Sequence, residues 1–311
     1  MKTGKAVVTG LIISVLVFAL VALTVDISQA QAPIEEWVFS VDGFYFQAVE
    51  VDNEGNVYAG STDNTIKKLD SDGNQIWLFD GHTGTIRSLA VDHQGNIYSG
   101  STDNTVRKLD SDGNQIWQYN RHWSTVEAVA VDGEGNLFTG SRDNLLRKLT
   151  PDGVRLWTYE GHTGTVGAVA ADEDGYVFSG SNDRTARKID DEGEEVWIYD
   201  VHWHGLRAVA VDGEGNLYTA GRDNIVRKID SDGVRQWSYE GHNATVRSLA
   251  VDDEGYVYSG GADDTVRKID EDGSEVWVFR GHSEGVQSVA VDGEGNVYSA
   301  SRDGTLRKLS Q

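Results

Sequence analysis

The chain has no cysteine in 311 residues, which excludes disulfides, thiolate zinc sites, iron–sulfur clusters and cysteine nucleophiles. It has two prolines against 36 glycines, so it holds many tight turns and no proline-rich linker. Cations are scarce as well. Twenty-seven Lys and Arg face 50 Asp and Glu, a formal charge of −23. A surface of that sign repels phosphate backbones and, unless a local basic patch exists, argues against DNA or RNA as a partner. The acidity fits a salt-rich habitat or plain solubility. What is present is apolar enough to fold: 39% of the residues are hydrophobic, sufficient to bury a core at this length.

Residues 1–30 stand apart. Lys2 and Lys5 precede an uncharged run of twenty residues, Ala6–Val25, which Asp26 ends. Such a segment targets or anchors a chain. Two readings compete. A secretory signal would be cleaved after Ala30, because Pro33 disfavours the alternative site after Ala32. An uncleaved anchor suits the length, since such a run spans about 30 Å, whereas signal cores hold about 7–15 residues. A pilin-like leader, cut before the apolar run, is a third possibility. All three leave the lysines inside and place the remainder outside the cytoplasm, anchored or secreted. The expected organisation is a signal peptide or anchor at 1–30, with membrane contact through 6–25, and one domain at 31–311.

That domain is built on a forty-residue ruler. Trp37, Trp77, Trp117, Trp157, Trp197, Trp237 and Trp277 recur at this step without an insertion. So do the turn aspartates Asp63, Asp103, Asp143, Asp183, Asp223, Asp263 and Asp303, and basic pairs from Lys67-Lys68 to Arg307-Lys308. Residues 55–77 and 95–117 differ at only four positions. Within a unit the pattern is four short strands, as in TVEAVAVD (125–132), LFTGSRD (137–143), LLRKLT (145–150) and VRLWTYE (154–160). Alternation, β-branched residues and Gly/Asn/Asp turns mark them, and nothing after residue 30 shows helical periodicity. Four strands every forty residues describe a propeller blade. The first unit begins on a fourth-strand pattern, Glu35–Ser40, and the last ends on a third-strand pattern, Thr305–Ser310. The expectation is an all-β, seven-bladed β-propeller closed by an N-terminal outer strand, after an N-terminal transmembrane or signal helix.

The stretch GHTGTIRSLAVDHQGNIYSGSTDNTVRKLD (81–110) resembles a Trp-Asp (WD) repeat in its Gly-His opening, SGSxDxT turn and closing Asp. The likeness runs over residues 34–311. It departs at the name-giving dipeptide, where Leu69, Leu109, Leu149, Ile189, Ile229, Ile269 and Leu309 replace the tryptophan. AVD-x-x-GN is equally similar to the NHL repeat, and DSDGNQIW (110–117) to quinoprotein propeller motifs. The resemblance implies a structural task for histidine: His82, His122, His162, His202, His242 and His282 each bond the turn aspartate of their own blade, from Asp103 to Asp303. Equal spacing around a ring keeps them too far apart to share a metal. In the first blade Asp42 stands where histidine is expected, facing Asp63, so that the two must share a proton, a basic group or a cation. The DSDGN turns (70–74, 110–114) start like calcium loops but carry glycine too early and lack the closing Glu, so they are hairpin turns.

Structural positions repeat, and functional positions break the repeat. Three loops depart from TGT or NAT: Gly43-Phe44-Tyr45, Trp123-Ser124-Thr125 and Trp203-His204-Gly205. In the WD family this loop lies on the top face. Large exposed aromatics there meet a partner or pack on neighbouring loops. Arg142, Arg222 and Arg302 occupy the turn beside them, and Gln47, Arg87, Glu127, Gly167, Arg207, Arg247 and Gln287 form the next ring, at the channel mouth. The expected binding residues are therefore Phe44, Tyr45, Trp123, Trp203, His204, Arg142, Arg222 and Arg302, a set suited to carboxylates, sugars or a peptide. Glu50 replaces an alanine that recurs in six blades, and a salt bridge to an interblade lysine is expected of it. No G-x-S-x-G, P-loop or H-E-x-x-H occurs. The eight blades and cysteine pair usual in quinoprotein dehydrogenases are missing. The expectation is a non-enzymatic, surface-displayed recognition propeller without metal or cofactor, binding protein or glycan. A structural subunit of an extracellular or virion assembly, and a quinoprotein-like enzyme, are the alternatives.

Overall fold

The computed structural model describes residues 32–200 and 202–311, so the signal or anchor expected at 1–30 lies outside the described residues. Every regular element among these is a β-strand. The described residues open on β1 (Ile34–Ser40) and build the first blade from β2 (Phe46–Val51), β3 (Val57–Ser61), β4 (Ile66–Leu69) and β5 (Gln75–Phe79). Five further four-stranded antiparallel sheets follow in the same way, from Ile86–Val91 to Glu275–Phe279. The seventh sheet draws on both ends of the described chain. Its inner three strands are Val286–Val291, Val297–Ser301 and Thr305–Ser310, and β1 pairs with the last of them, Val38 opposite Arg307 and Ser40 opposite Thr305.

The second strand of every blade is buried along its whole length, as in β3 (Val-Tyr-Ala-Gly-Ser). Both faces of a blade are covered by its neighbours, which is why polar–apolar alternation is weak there. The hydrophobic clusters accordingly straddle blades: Tyr98 and Val106 of the second meet Val126, Val129 and Leu137 of the third. Phe46, Val57 and Leu69 of the first likewise meet Tyr298 and Leu306 of the seventh, with Trp37 and Phe39 of β1 packed alongside. Each fully buried large apolar side chain contributes roughly 1.5–3 kcal/mol.

Adjacent blades are also pegged together at the rim. The Trp77 indole donates to the Ser111 carbonyl at 3.0 Å, and Lys68 donates to the same oxygen at 3.2 Å. Trp117 and Lys108 share the Pro151 carbonyl in the same way, and Trp37 and Lys308 share that of Ser71. The turn glycine makes room for the ring. Gly113 has φ +86°, and a Cβ there would stand 2.9 Å from Trp77 Cδ2. Both conformation and clearance require glycine.

β1 contributes the edge-strand pairing, the Trp37 peg and a share of the interface between the seventh and first blades. Deleting residues 34–41 should therefore lower the melting temperature severely, measured by circular dichroism. An unchanged melting temperature would contradict the assignment of closure to this strand.

Candidate functional site

The top face rests on a polar frame repeated around the ring. In the second blade His82 Nδ1 donates to Asp103 at 2.7 Å and Nε2 accepts from Ser99 at 2.8 Å. Asp103 also accepts from the Thr83 amide and the Thr105 hydroxyl, which closes the turn. His162, His202, His242 and His282 make the same pairings with Asp183, Asp223, Asp263 and Asp303, at 2.8–3.0 Å. His122 does not, contrary to the expectation. Its Nδ1 lies 3.9 Å from Asp143. Buried Arg147 takes the Asp143 carboxylate at 2.8 Å and donates to His122 Nδ1 at 2.9 Å. The third and fifth blades carry Leu145 and Ile225 where the others have threonine. In both of them the arginine reaches the histidine directly, Arg227 meeting His202 at 2.9 Å.

In the first blade Asp42, at the histidine position, is exposed. Lys67 Nζ lies 2.8 Å from Asp63 and supplies the positive charge instead, so the basic group is the answer of the three.

Above this frame six guanidinium groups and one carboxylate surround the channel mouth, lining a hollow of about 320 Å³. Glu127 holds two of the six. Arg87 donates to it at 2.9 and 2.7 Å, and Arg142 takes its other oxygen. Burial would raise its carboxyl, but Arg87 and Arg142 hold it below the usual carboxylate range. Among the described residues Arg207, Arg222, Arg247 and Arg302 have no acidic partner, and Arg302 stacks over the Tyr45 ring at 5.8 Å. Burial first, and then mutual repulsion with neighbouring arginines, pulls Arg207 and Arg247 below the usual range. The opposite mouth has the opposite sign, with Asp92, Asp132, Asp172, Asp212 and Glu214 around its hollow. The two mouths thus differ in sign, and an anion would find its donors on the top face.

The predicted aromatics lie elsewhere on that face. Trp123 and Trp203 are 83% and 81% exposed, which rules out packing on neighbouring loops. Trp123 borders a separate hollow at the rim of the third blade, with Arg121, Leu145 and Arg155. Phe44 and His204 are exposed and Tyr45 is half-buried. Of the eight expected binding residues the structure brings Arg142, Arg222 and Arg302 into one cup, with Tyr45 touching its edge. Arg87, Arg207 and Arg247 join them. Their signal was visible in the inner-strand ring, where charge varies from blade to blade. Glu50 makes no salt bridge among the described residues, against expectation. It lines the channel below the cup, where no lysine among the described residues joins it. Burial pushes its carboxyl up to about 7, against a backbone hydrogen bond from Val51.

Sequence comparison agrees with this architecture. The family model for outer membrane protein assembly factor BamB matches residues 62–169 and 142–251, and that for the WD domain, G-beta repeat matches 233–270 and 273–308. The chain belongs to the WD- and quinoprotein-like repeat propellers. No curated protein matches it. In this propeller the histidine frame and the rim pegs are what repeats. Trp123 and Trp203, with Arg142 and Arg222, mark the third and fifth blades as a matched pair of departures flanking the fourth.

The frame carries a pH dependence. Burial holds His82, His202 and His282 below their ordinary value, and burial with Arg147 pushes His122 down to about 3. The unfolded chain binds these protons near pH 6.5 and the folded chain does not, so stability is complete above that value and falls as pH drops through it. Asp223, held at about 2 by His202 and Arg227, and Asp303, held at about 2 by Thr305 and His282, both against the opposing effect of burial, add a further loss below pH 4. His122 alone should remove about 1 kcal/mol between pH 7.5 and pH 5.5. Urea unfolding across that interval should show the decline, and a His122→Phe variant should show less of it. A flat profile would contradict the buried neutral frame.

Proposed function

We propose that this propeller is a non-enzymatic recognition scaffold that binds a protein partner through its top face. The observation that carries the reading is the pair of exposed indoles, Trp123 and Trp203, set on equivalent loops of the third and fifth blades. Indoles kept in water at this cost suit an interface, where buried aromatic anchors commonly contribute more than about 2 kcal/mol each. A glycan surface is the second reading, favoured by the same flat indole faces. Display outside the cytoplasm, either tethered through residues 6–25 or secreted after cleavage of 1–30, belongs to this reading and is supported by the apolar run behind Lys2 and Lys5.

Catalysis is left out on chemical grounds. Glu50 with its raised carboxyl could serve as an acid, but acid–base work on a glycosidic bond needs a second free carboxylate. The nearest candidate in the channel wall is Glu127, and Arg87 and Arg142 already occupy both of its oxygens.

The test is to pan the full chain, held in non-ionic detergent, against a random peptide library and a glycan array. Enriched peptides should lose affinity at least tenfold on Trp123→Ala with Trp203→Ala, and keep it on the opposite-face changes Glu134→Gln and Glu214→Gln. Failure to enrich any peptide, or indifference to the tryptophan variant with the fold intact, would reject the reading. Enrichment of glycans alone would replace protein by sugar.

A further inference from the structure

The geometry points to an unfilled carboxylate site between Arg247 and Arg302, which takes an acidic side chain of the protein partner. The inference rests on the scaffold reading and names the chemistry of the segment it binds.

The internal repeat holds both a filled and an unfilled version of one site. At the filled site, Arg87 on an inner strand and Arg142 on the turn of the next blade grip Glu127, which stands on the inner strand between them. Two of the three polar positions recur unchanged four blades on: Arg247 matches Arg87 and Arg302 matches Arg142. The third does not. Gln287 stands where Glu127 would be, and its amide donates to the Gly285 carbonyl at 3.0 Å. The two guanidinium groups are in place and the carboxylate between them is missing.

The remaining observations agree. Arg247 Nη1 is buried and has no hydrogen-bond partner, although a buried charged donor without an acceptor is costly to keep. The blades do not need arginine there, since Gln47, Gly167 and Gln287 fill the same position in three others. Arg207 and Arg222 add two more guanidinium groups to the same hollow. More than one carboxylate is accommodated, as an acidic peptide provides. With a chain charge of −23, an untargeted polyanion is repelled, so capture reports the cup itself.

The test uses the full chain in non-ionic detergent with fluorescein-labelled tetraglutamate, read by anisotropy in low salt, with tetraserine as control and citrate as a free small carboxylate. Tetraglutamate should bind and tetraserine should not. Gln287→Glu supplies the missing carboxylate from within. It should lower tetraglutamate affinity at least tenfold while raising the melting temperature, and Arg247→Gln should lower affinity similarly. Absence of tetraglutamate binding, or binding unchanged by both variants, would overturn the site. Binding of citrate without tetraglutamate would overturn the peptide source. Panned peptides that depend on Trp123 and Trp203 but ignore Gln287→Glu would overturn this inference and leave the scaffold standing.

Discussion

The indole of each outer-strand tryptophan reaches past its own blade to a turn carbonyl of the next, and the regularity of the ring depends on that reach. Six such contacts join tryptophan to a carbonyl 34 residues further on, from Trp37 with Ser71 to Trp237 with Glu271. The separation explains why the forty-residue step tolerates no insertion between peg and turn. It explains the glycine of the turn, which must both adopt positive φ and lie under the ring. In three contacts it also gives the second residue of the basic pair its task, because lysine shares the acceptor. Trp277 is the exception, since its indole N–H is buried without a partner among the described residues. Trp37, carried on β1, extends the same contact from the seventh blade to the first.

How much of this could be read from the sequence depends on whether a feature repeats. Strand positions and blade count were legible because every unit states them again, and an error in one unit is corrected by six others. The histidine–aspartate frame was legible for five blades. It failed at His122, where buried Arg147 takes the Asp143 carboxylate, whereas the fifth blade keeps its His202–Asp223 pair with Arg227 alongside. Glu50 was misjudged for a similar reason. It is a single departure, and its partner depends on side-chain directions that one strand does not encode.

The channel mouth lies between these cases. Its arginines were visible as an irregular ring, but which of them are neutralised was not. Glu127 meets Arg87 across forty residues and Arg142 across fifteen, and only their joint placement separates two paired guanidinium groups from four unpaired ones. The exposed tryptophans were legible as departures. Their distance from the cup was not, and the structure divides the top face into an aromatic rim and a cationic centre.

Positions that repeat hold the ring, and positions that break the repeat are free of that task and carry a cost to stability. The cost is electrostatic: desolvated cations of like sign crowd one mouth of an acidic protein. The most direct measurement is the unfolding free energy of an Arg207→Gln, Arg247→Gln variant in urea, without any ligand. Relief of that repulsion predicts a value equal to or above that of the parent protein. A loss of more than about 1 kcal/mol, the net worth of an ordinary intramolecular hydrogen bond, would show that these arginines hold the fold together and would contradict the account.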